Sequence, residues 1–180
     1  MLGFFVSEDT LEGYGEIFRS ESTQSIIELI DIEEDEWDFV VNINLKGTYM
    51  FSRGVLPTMQ KNGWGRIVNF ASVQTTRAFP GGIAYGASKG AIGQLTRAMA
   101  EAWSSHGICV NAIGPGFFPT ELTQIVFEDT ERSKRNADQT CIGRNGEMED
   151  LDGPLLFLCS EASRYVTGQV LMVDGGFTAK

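Results

Sequence analysis

Three short apolar runs, residues 66–71, 108–113 and 169–173, stand apart in this chain with helical patterns between them. Each is too short for a helix and rich in Ile, Val and other β-formers, so each is expected to be a strand. Antiparallel strands can be joined by a two-residue turn, but parallel strands need a crossover of a dozen residues or more. The spacing therefore predicts an α/β chain whose strands form a parallel sheet with helices packed on it. Ligands of such sheets bind beyond the carboxyl ends of the strands. That directs attention to Ser72, at the end of the first run, and to Pro115-Gly116, just past the second.

Between these runs the periodicity changes to that of helices. Trp37, Val40, Val41, Ile43, Asn44, Gly47, Met50 and Phe51 recur at three-to-four spacing, which predicts one long helix over about residues 35–62. Pro57 is expected to kink that helix or end its first part. Gly63-Trp64-Gly65 reads as a turn, and Pro80-Gly81-Gly82 as part of a loop over residues 73–83. A second helix is expected over about 84–106, closed by Gly107 at the position after its cap. Residues 118–144 are polar and partly helical, opened by Thr120, Glu121 and Leu122, and a further helix is expected over 148–160. Residues 1–24 show weak periodicity, with a short helix around 11–19 as one reading.

With 180 residues, the chain suits one domain with a sizeable core. A net charge of −10 argues against a nucleic-acid or anionic-membrane surface, since both require clustered Lys and Arg. Part of that charge is local: Glu28, Asp31, Glu33, Glu34, Asp35, Glu36 and Asp38 crowd one segment, which reads as a solvated helix start rather than a metal site. No apolar run reaches membrane-spanning length. Cys109, Cys141 and Cys159 are an odd number without a CxxC pair, and are expected to be reduced core residues of a cytoplasmic protein. His106, the single histidine, sits beside Gly107 at a helix end, where a capping or dipole role suits it better than catalysis.

The chemistry concentrates in Tyr85-Gly86-Ala87-Ser88-Lys89. Tyr85 and Lys89 are one helical turn apart on one face, so an ammonium sits beside a phenol and is expected to lower its pKa. A phenol tuned in this way is a general acid/base for interconverting a carbonyl and an alcohol. In order along the chain, Asn44-Leu45-Lys46-Gly47, Ser72, Tyr85-x-x-x-Lys89, Asn111-x-x-x-Pro115-Gly116 and Tyr165-x-x-Gly168 with Val173-Asp174-Gly175-Gly176 resemble the landmarks of the short-chain dehydrogenase/reductase family. The likeness extends over about 140 residues.

The resemblance implies a Rossmann-like parallel sheet and the cofactor NAD or NADP. It makes Tyr85 the proton donor and acceptor, with Ser72 binding the reacting oxygen. Lys89 tunes Tyr85 and holds the ribose, and Asn44 anchors a water relay from Lys89 to solvent. Pro115, Gly116 and Thr120 would line the cofactor, Thr120 at the nicotinamide carboxamide. Asn111 is better read as a backbone tie than a catalytic group. No metal is implied. Gly86, Gly90 and Gly93, costly inside a helix, are explained by close packing on the sheet or a partner subunit. Family members form homodimers or homotetramers.

The family's opening strand and Thr-Gly-x-x-x-Gly-x-Gly loop, whose helix start would hold the pyrophosphate, have no counterpart here. Gly13-Tyr14-Gly15 is too short and lies too close to the downstream landmarks. The chain is accordingly expected to be N-terminally truncated, lacking the first four of seven strands. Residues 1–24 would be unmatched, and 25–180 would be the catalytic and substrate-side portion of a single domain. The strand at 66–71 would then carry an unpaired edge and an uncovered face.

For substrate, Ile142-Gly143-Arg144 and the segments around Tyr85 and Pro115 are similar to sugar-acid and polyol dehydrogenases such as gluconate 5-dehydrogenase. The 3-oxoacyl carrier-protein reductases share most of the same landmarks. Arg144 or Arg77 offers a fork for a substrate carboxylate, or equally a surface ion pair. Three readings stay open: a small-molecule oxidoreductase, a non-catalytic remnant that pairs with a full-length homologue, and a hydrolase using Ser72. The last lacks a G-x-S-x-G elbow.

Overall fold

The computed structural model describes residues 32–120 and 123–180. The expectations for residues 1–24, Glu28, Asp31, Glu121 and Leu122 fall outside these residues. Helix α1 (Glu34–Val41) opens with Glu34, Asp35 and Glu36 in its first turn, where carboxylates complement the positive helix end. The winding does not stop at Val41. It passes through a π-helical segment, Asn42–Gly47, into α2 (Thr48–Asn62), staying right-handed helical at both junctions. The expected uninterrupted α-helix is thus corrected: its centre is wound one residue wider per turn. Within it, the Thr48 hydroxyl donates to the Asn44 carbonyl at 2.7 Å, and the Ser52 hydroxyl to that of Thr48 at 2.9 Å. Pro57 does not end α2, which continues to Asn62 and is capped by Gly63 at φ +63°.

Three strands coincide with the predicted runs: β1 (Gly65–Phe70), β2 (Ile108–Pro115) and β3 (Val170–Val173). They form a parallel sheet in the order β1-β2-β3, with Val68 opposite Asn111 and Ile113 opposite Leu171. Helix α3 (Ile83–Trp103) crosses from β1 to β2 and ends through a 3₁₀ turn, Ser104–His106, at Gly107. Gly107 has φ +78°, and a Cβ on it would stand 2.1 Å from the Gly63 carbonyl oxygen. The Gly65 N–H donates to the Gly107 carbonyl at 3.2 Å. The ends of α2 and α3 are therefore fastened together where β1 and β2 begin. Helices α4 (Gln124–Glu128), α5 (Thr130–Gln139) and α6 (Asp152–Cys159) complete the described chain.

Alternation along the strands sends side chains to two covered faces. On one, Ile67, Ile108 and Val110 meet Met99 and Ala100 of α3 and Val55, Leu56 and Met59 of α2. On the other, Val68, Phe70 and Ile113 meet Leu155 and Leu158 of α6 together with Leu151 and Phe118. Burying each such side chain contributes about 1.5–3 kcal/mol. The expectation of a bare face on β1 is overturned: all of its residues except Arg66 are buried, although β1 does stand at the end of the described strand order. The cysteine reading needs a similar correction. Cys109 is buried in β2, but Cys141 and Cys159 are exposed, the first in the loop after α5 and the second at the last position of α6. Asn111 is the expected backbone tie: its Nδ2 donates to the Val166 carbonyl at 2.8 Å and its Oδ1 accepts from Gln169 N–H at 3.1 Å. Among the described residues no helix is long and apolar enough to cross a membrane.

Candidate active site

β1 ends at Phe70, and Ser72 turns the chain. Its hydroxyl accepts from Gln74 N–H at 3.1 Å while its own N–H donates to the Thr75 hydroxyl at 3.2 Å, a reciprocal cap on the short 3₁₀ turn Val73–Thr75. The Thr75 hydroxyl donates in turn to the Lys89 carbonyl at 3.0 Å, clamping this turn onto α3. The clamp brings Ser72 to Tyr85, near enough for the Ser72 side chain to pull the phenol's pKa down. Two residues thirteen apart in sequence meet because a strand end and the first turn of the next helix share one pole of the sheet.

Lys89 is buried, and its Nζ donates to the Phe70 carbonyl at 2.9 Å. The ammonium lies over the Tyr85 ring, 5.5 Å from its centroid. Burial against a neutral acceptor pulls its pKa from 10.5 down to about 8. The Tyr85 phenol is raised above its ordinary 10.0, because burial outweighs the lowering effect of the Ser72 hydrogen bond. The expected depression of Tyr85 by Lys89 is therefore not met. Lys89 presents its charge to the ring face and the Phe70 carbonyl rather than to the phenol oxygen.

Asn44, carried in the π-helical segment, donates through Nδ2 to the Ser88 hydroxyl at 3.1 Å, and that hydroxyl donates to the Tyr85 carbonyl at 2.7 Å. Asn44 thus reaches the Tyr/Lys helix one residue before Lys89, through Ser88. Pro115 is the last residue of β2; Gly116 comes next and donates its N–H to the Val173 carbonyl at 2.9 Å. A Cβ on Gly116 would lie 2.8 Å from the Asp174 Cα, so this close approach of two backbones requires glycine. Thr120 lies beyond this end, its hydroxyl 3.0 Å from that of Thr123. Ser72, Tyr85 and Lys89 form one constellation. Pro115, Gly116 and Thr120 mark the neighbouring strand end, and among the described residues no hydrogen bond joins them to it.

Both candidate carboxylate receptors are engaged elsewhere. Arg144 makes a forked pair with Asp150 at 2.6 and 2.9 Å, which holds the Asp150 carboxyl near a pKa of about 2. Arg77 donates to the Lys180 carbonyl at 2.7 Å and lies over the Phe177 ring. Arg144, Asp150, Asn145 and Phe117 line a cavity of about 310 Å³ that reaches Gly116, with neither Ser72, Tyr85 nor Lys89 in its wall. The glycines of α3 divide. A Cβ on Gly93 would meet Thr75 and Val170, one on Gly86 would meet Gln74, and one on Gly90 would meet nothing within 4 Å. Close packing on the sheet side thus accounts for Gly93, but not for Gly90. Sequence reasoning passed over Ser88 and Gln74. The signal for Ser88 was its position three residues after Tyr85, on the same helical face.

The chain as a whole is similar to known proteins. A family profile described as Enoyl-(Acyl carrier protein) reductase matches residues 21–178. Gluconate 5-dehydrogenase of Gluconobacter oxydans is 41% identical over 150 residues, covering 83% of this chain and 59% of that enzyme. The 3-oxoacyl-[acyl-carrier-protein] reductase of Thermotoga maritima is 36% identical over 174 residues, covering 95% and 70%. Among solved structures, a gluconate 5-dehydrogenase from Burkholderia cenocepacia in complex with NADP and tartrate superposes with a TM-score of 0.83 at 38% identity. The match covers 86% of this chain and 60% of that one. The chain thus spans about three fifths of the length of the gluconate dehydrogenases it matches.

Proposed function

Because the chain belongs to the short-chain dehydrogenase/reductase family, we propose that it works as an NAD(P)-dependent oxidoreductase interconverting a secondary alcohol and a ketone, on a sugar acid or polyol. The observation that carries this reading is the juxtaposition of Ser72 and Tyr85 with Lys89 buried beside them at the carboxyl end of β1. With its pKa raised, Tyr85 is protonated near neutral pH and prepared to give its proton to a carbonyl oxygen that also accepts from Ser72. In the alcohol-to-ketone direction the Tyr85 oxygen must first lose that proton, then take the one from the substrate hydroxyl. A nicotinamide, when bound, supplies or accepts the hydride.

The described residues suit the nicotinamide-ribose half of such a cofactor. Lys89 uses one donor on Phe70 and keeps two, at a buried site where a neutral carbonyl and the Tyr85 ring leave its charge without an anionic partner among the described residues. Ribose hydroxyls would add the missing acceptors. The sugar-acid assignment is supported by the gluconate dehydrogenases among the relatives. Homodimer or homotetramer formation, or pairing with a full-length homologue, belongs to the same reading and is read by light scattering.

The test uses the chain with D-gluconate or galactitol and NAD or NADP, following absorbance of the reduced nicotinamide. Turnover is expected to fall roughly 10²–10⁴-fold in Tyr85→Phe, which keeps the ring and removes the proton. Thermal shifts by NAD or NADP that vanish in Lys89→Ala would place the ribose at Lys89. Absence of both turnover and any cofactor shift leaves the non-catalytic remnant as the correct reading.

A further inference from the structure

Two glycines face one side chain at the edge of this constellation. A Cβ on Gly82, the residue that precedes α3, would stand 3.0 Å from Gln74 Oε1 and 3.4 Å from Nε2. A Cβ on Gly86, immediately after Tyr85, would also lie 3.0 Å from Gln74 Oε1. The Gln74 carboxamide therefore occupies the space that side chains at these two positions would fill. Glycine at position 86 is costly in a helix relative to alanine, and Gly82 has φ −114°, which any residue adopts. Neither glycine is demanded by its own backbone. Their common effect is to admit this carboxamide against the first turn of α3.

The backbone of Gln74 is fixed at the same point. Its N–H donates to Ser72 Oγ, the hydroxyl that also acts on the Tyr85 phenol. Yet the side chain is half-buried and makes no hydrogen bond to any described residue. A carboxamide brings one acceptor and two donor hydrogens. If its place were only to fill space over two glycines, an apolar side chain would do so without the cost of partly desolvating these groups. The polar end lies against the first turn of α3, the turn that carries Tyr85, and makes no hydrogen bond to a described residue.

We propose that Gln74 is the residue that reads the substrate: its carboxamide hydrogen-bonds a hydroxyl or carboxylate oxygen on the carbon chain next to the one oxidised or reduced. This rests on the oxidoreductase reading above and deepens it, naming a polyhydroxylated substrate as the class selected. A site built to hydrogen-bond a substrate group rejects analogues lacking it, because its own polar groups are then left unpaired.

The test measures binding apart from turnover. Titration of D-gluconate and galactitol into the chain, followed by saturation-transfer NMR with and without NADP, is compared for the native chain, Gln74→Leu and Gln74→Glu. Both variants are expected to weaken binding of at least one of the two probes at least tenfold while melting within a few degrees of the native chain. Should Gln74→Leu fail to fold, Gln74→Glu, which keeps the shape and removes the donors, carries the comparison. Native-like binding in a folded variant overturns the assignment, as does absence of binding of both probes to the native chain. Gln74-dependent binding with neither turnover nor any shift by NAD or NADP would leave Gln74 as a contact to the polyhydroxylated ligand and sink the oxidoreductase reading. Turnover with Gln74-independent binding would do the reverse.

Discussion

At the scale of single residues, the site holds a buried ammonium at a cost to the fold. Lys89 has a folded pKa of about 8 against 10.5 in the open chain, so the unfolded state binds more protons between those values. Stability must then rise with pH across that window, and below pH 8 the whole penalty is present. Lys89→Met is expected to raise the unfolding free energy at pH 7, by on the order of 3 kcal/mol at most, since the Phe70 carbonyl loses its donor. That advantage should shrink as pH climbs from 8 to 10.5, and denaturant melts across the range would show it. A constant difference would mean that Lys89 is not the titrating group. In the proposed reaction Tyr85 would carry the opposite signature: with the phenol raised, oxidation of an alcohol should accelerate with alkalinity and reduction should slow. Both residues were legible in sequence as a pair one turn apart. Their pKa directions were not, because spacing places Lys89 beside Tyr85 without saying that the Phe70 carbonyl captures it.

Among the elements, α3 is where pattern reading succeeded and then ran short. Its ends, its glycines and its Tyr/Lys face could be read from periodicity and from Gly107, but its packing partners lie on segments far away in sequence. Gly93 presses on Thr75 and β3, whereas Gly90 meets nothing within 4 Å. Gly90→Ala should therefore stabilise the isolated chain by roughly 0.5–1 kcal/mol. A loss of stability instead, appearing only above a threshold protein concentration, would show that another copy packs there. Gly107→Ala is the contrasting case. Its positive φ and the 2.1 Å approach to the Gly63 carbonyl should cost about 2–3 kcal/mol, seen as a lower midpoint in urea. The π-helical segment Asn42–Gly47 escaped prediction for a plain reason. Eight hydrophobic and small positions spaced three to four apart fit a continuous α-helix as well as one with a wide turn in its middle.

For the molecule as a whole, the three parallel strands and their covered faces were written in the alternation of apolar runs and helices. What covers β1 was not, since no local pattern says that α6 returns across 80 residues to lie on it. The two poles of the sheet differ in kind. At the start of β1 and β2, the glycine turns at Gly63 and Gly107 interlock; at the other pole lie Ser72, Tyr85 and the segment holding α4 and α5, neither of which contributes a fully buried residue. Amide hydrogen exchange should accordingly be slowest in β2 and the last turns of α3, and fastest along α4 and α5. Protection gained in α4 and α5 on adding substrate, with β2 unchanged, is the expected response. Uniform slowing everywhere would contradict it. The interlocked glycines act on this gradient as the stitching of a book's spine acts on its pages. Whatever force, heat or ligand does to this protein, it is expected to open from the fore-edge, where Ser72 and Tyr85 lie, and the binding to be the last part to give.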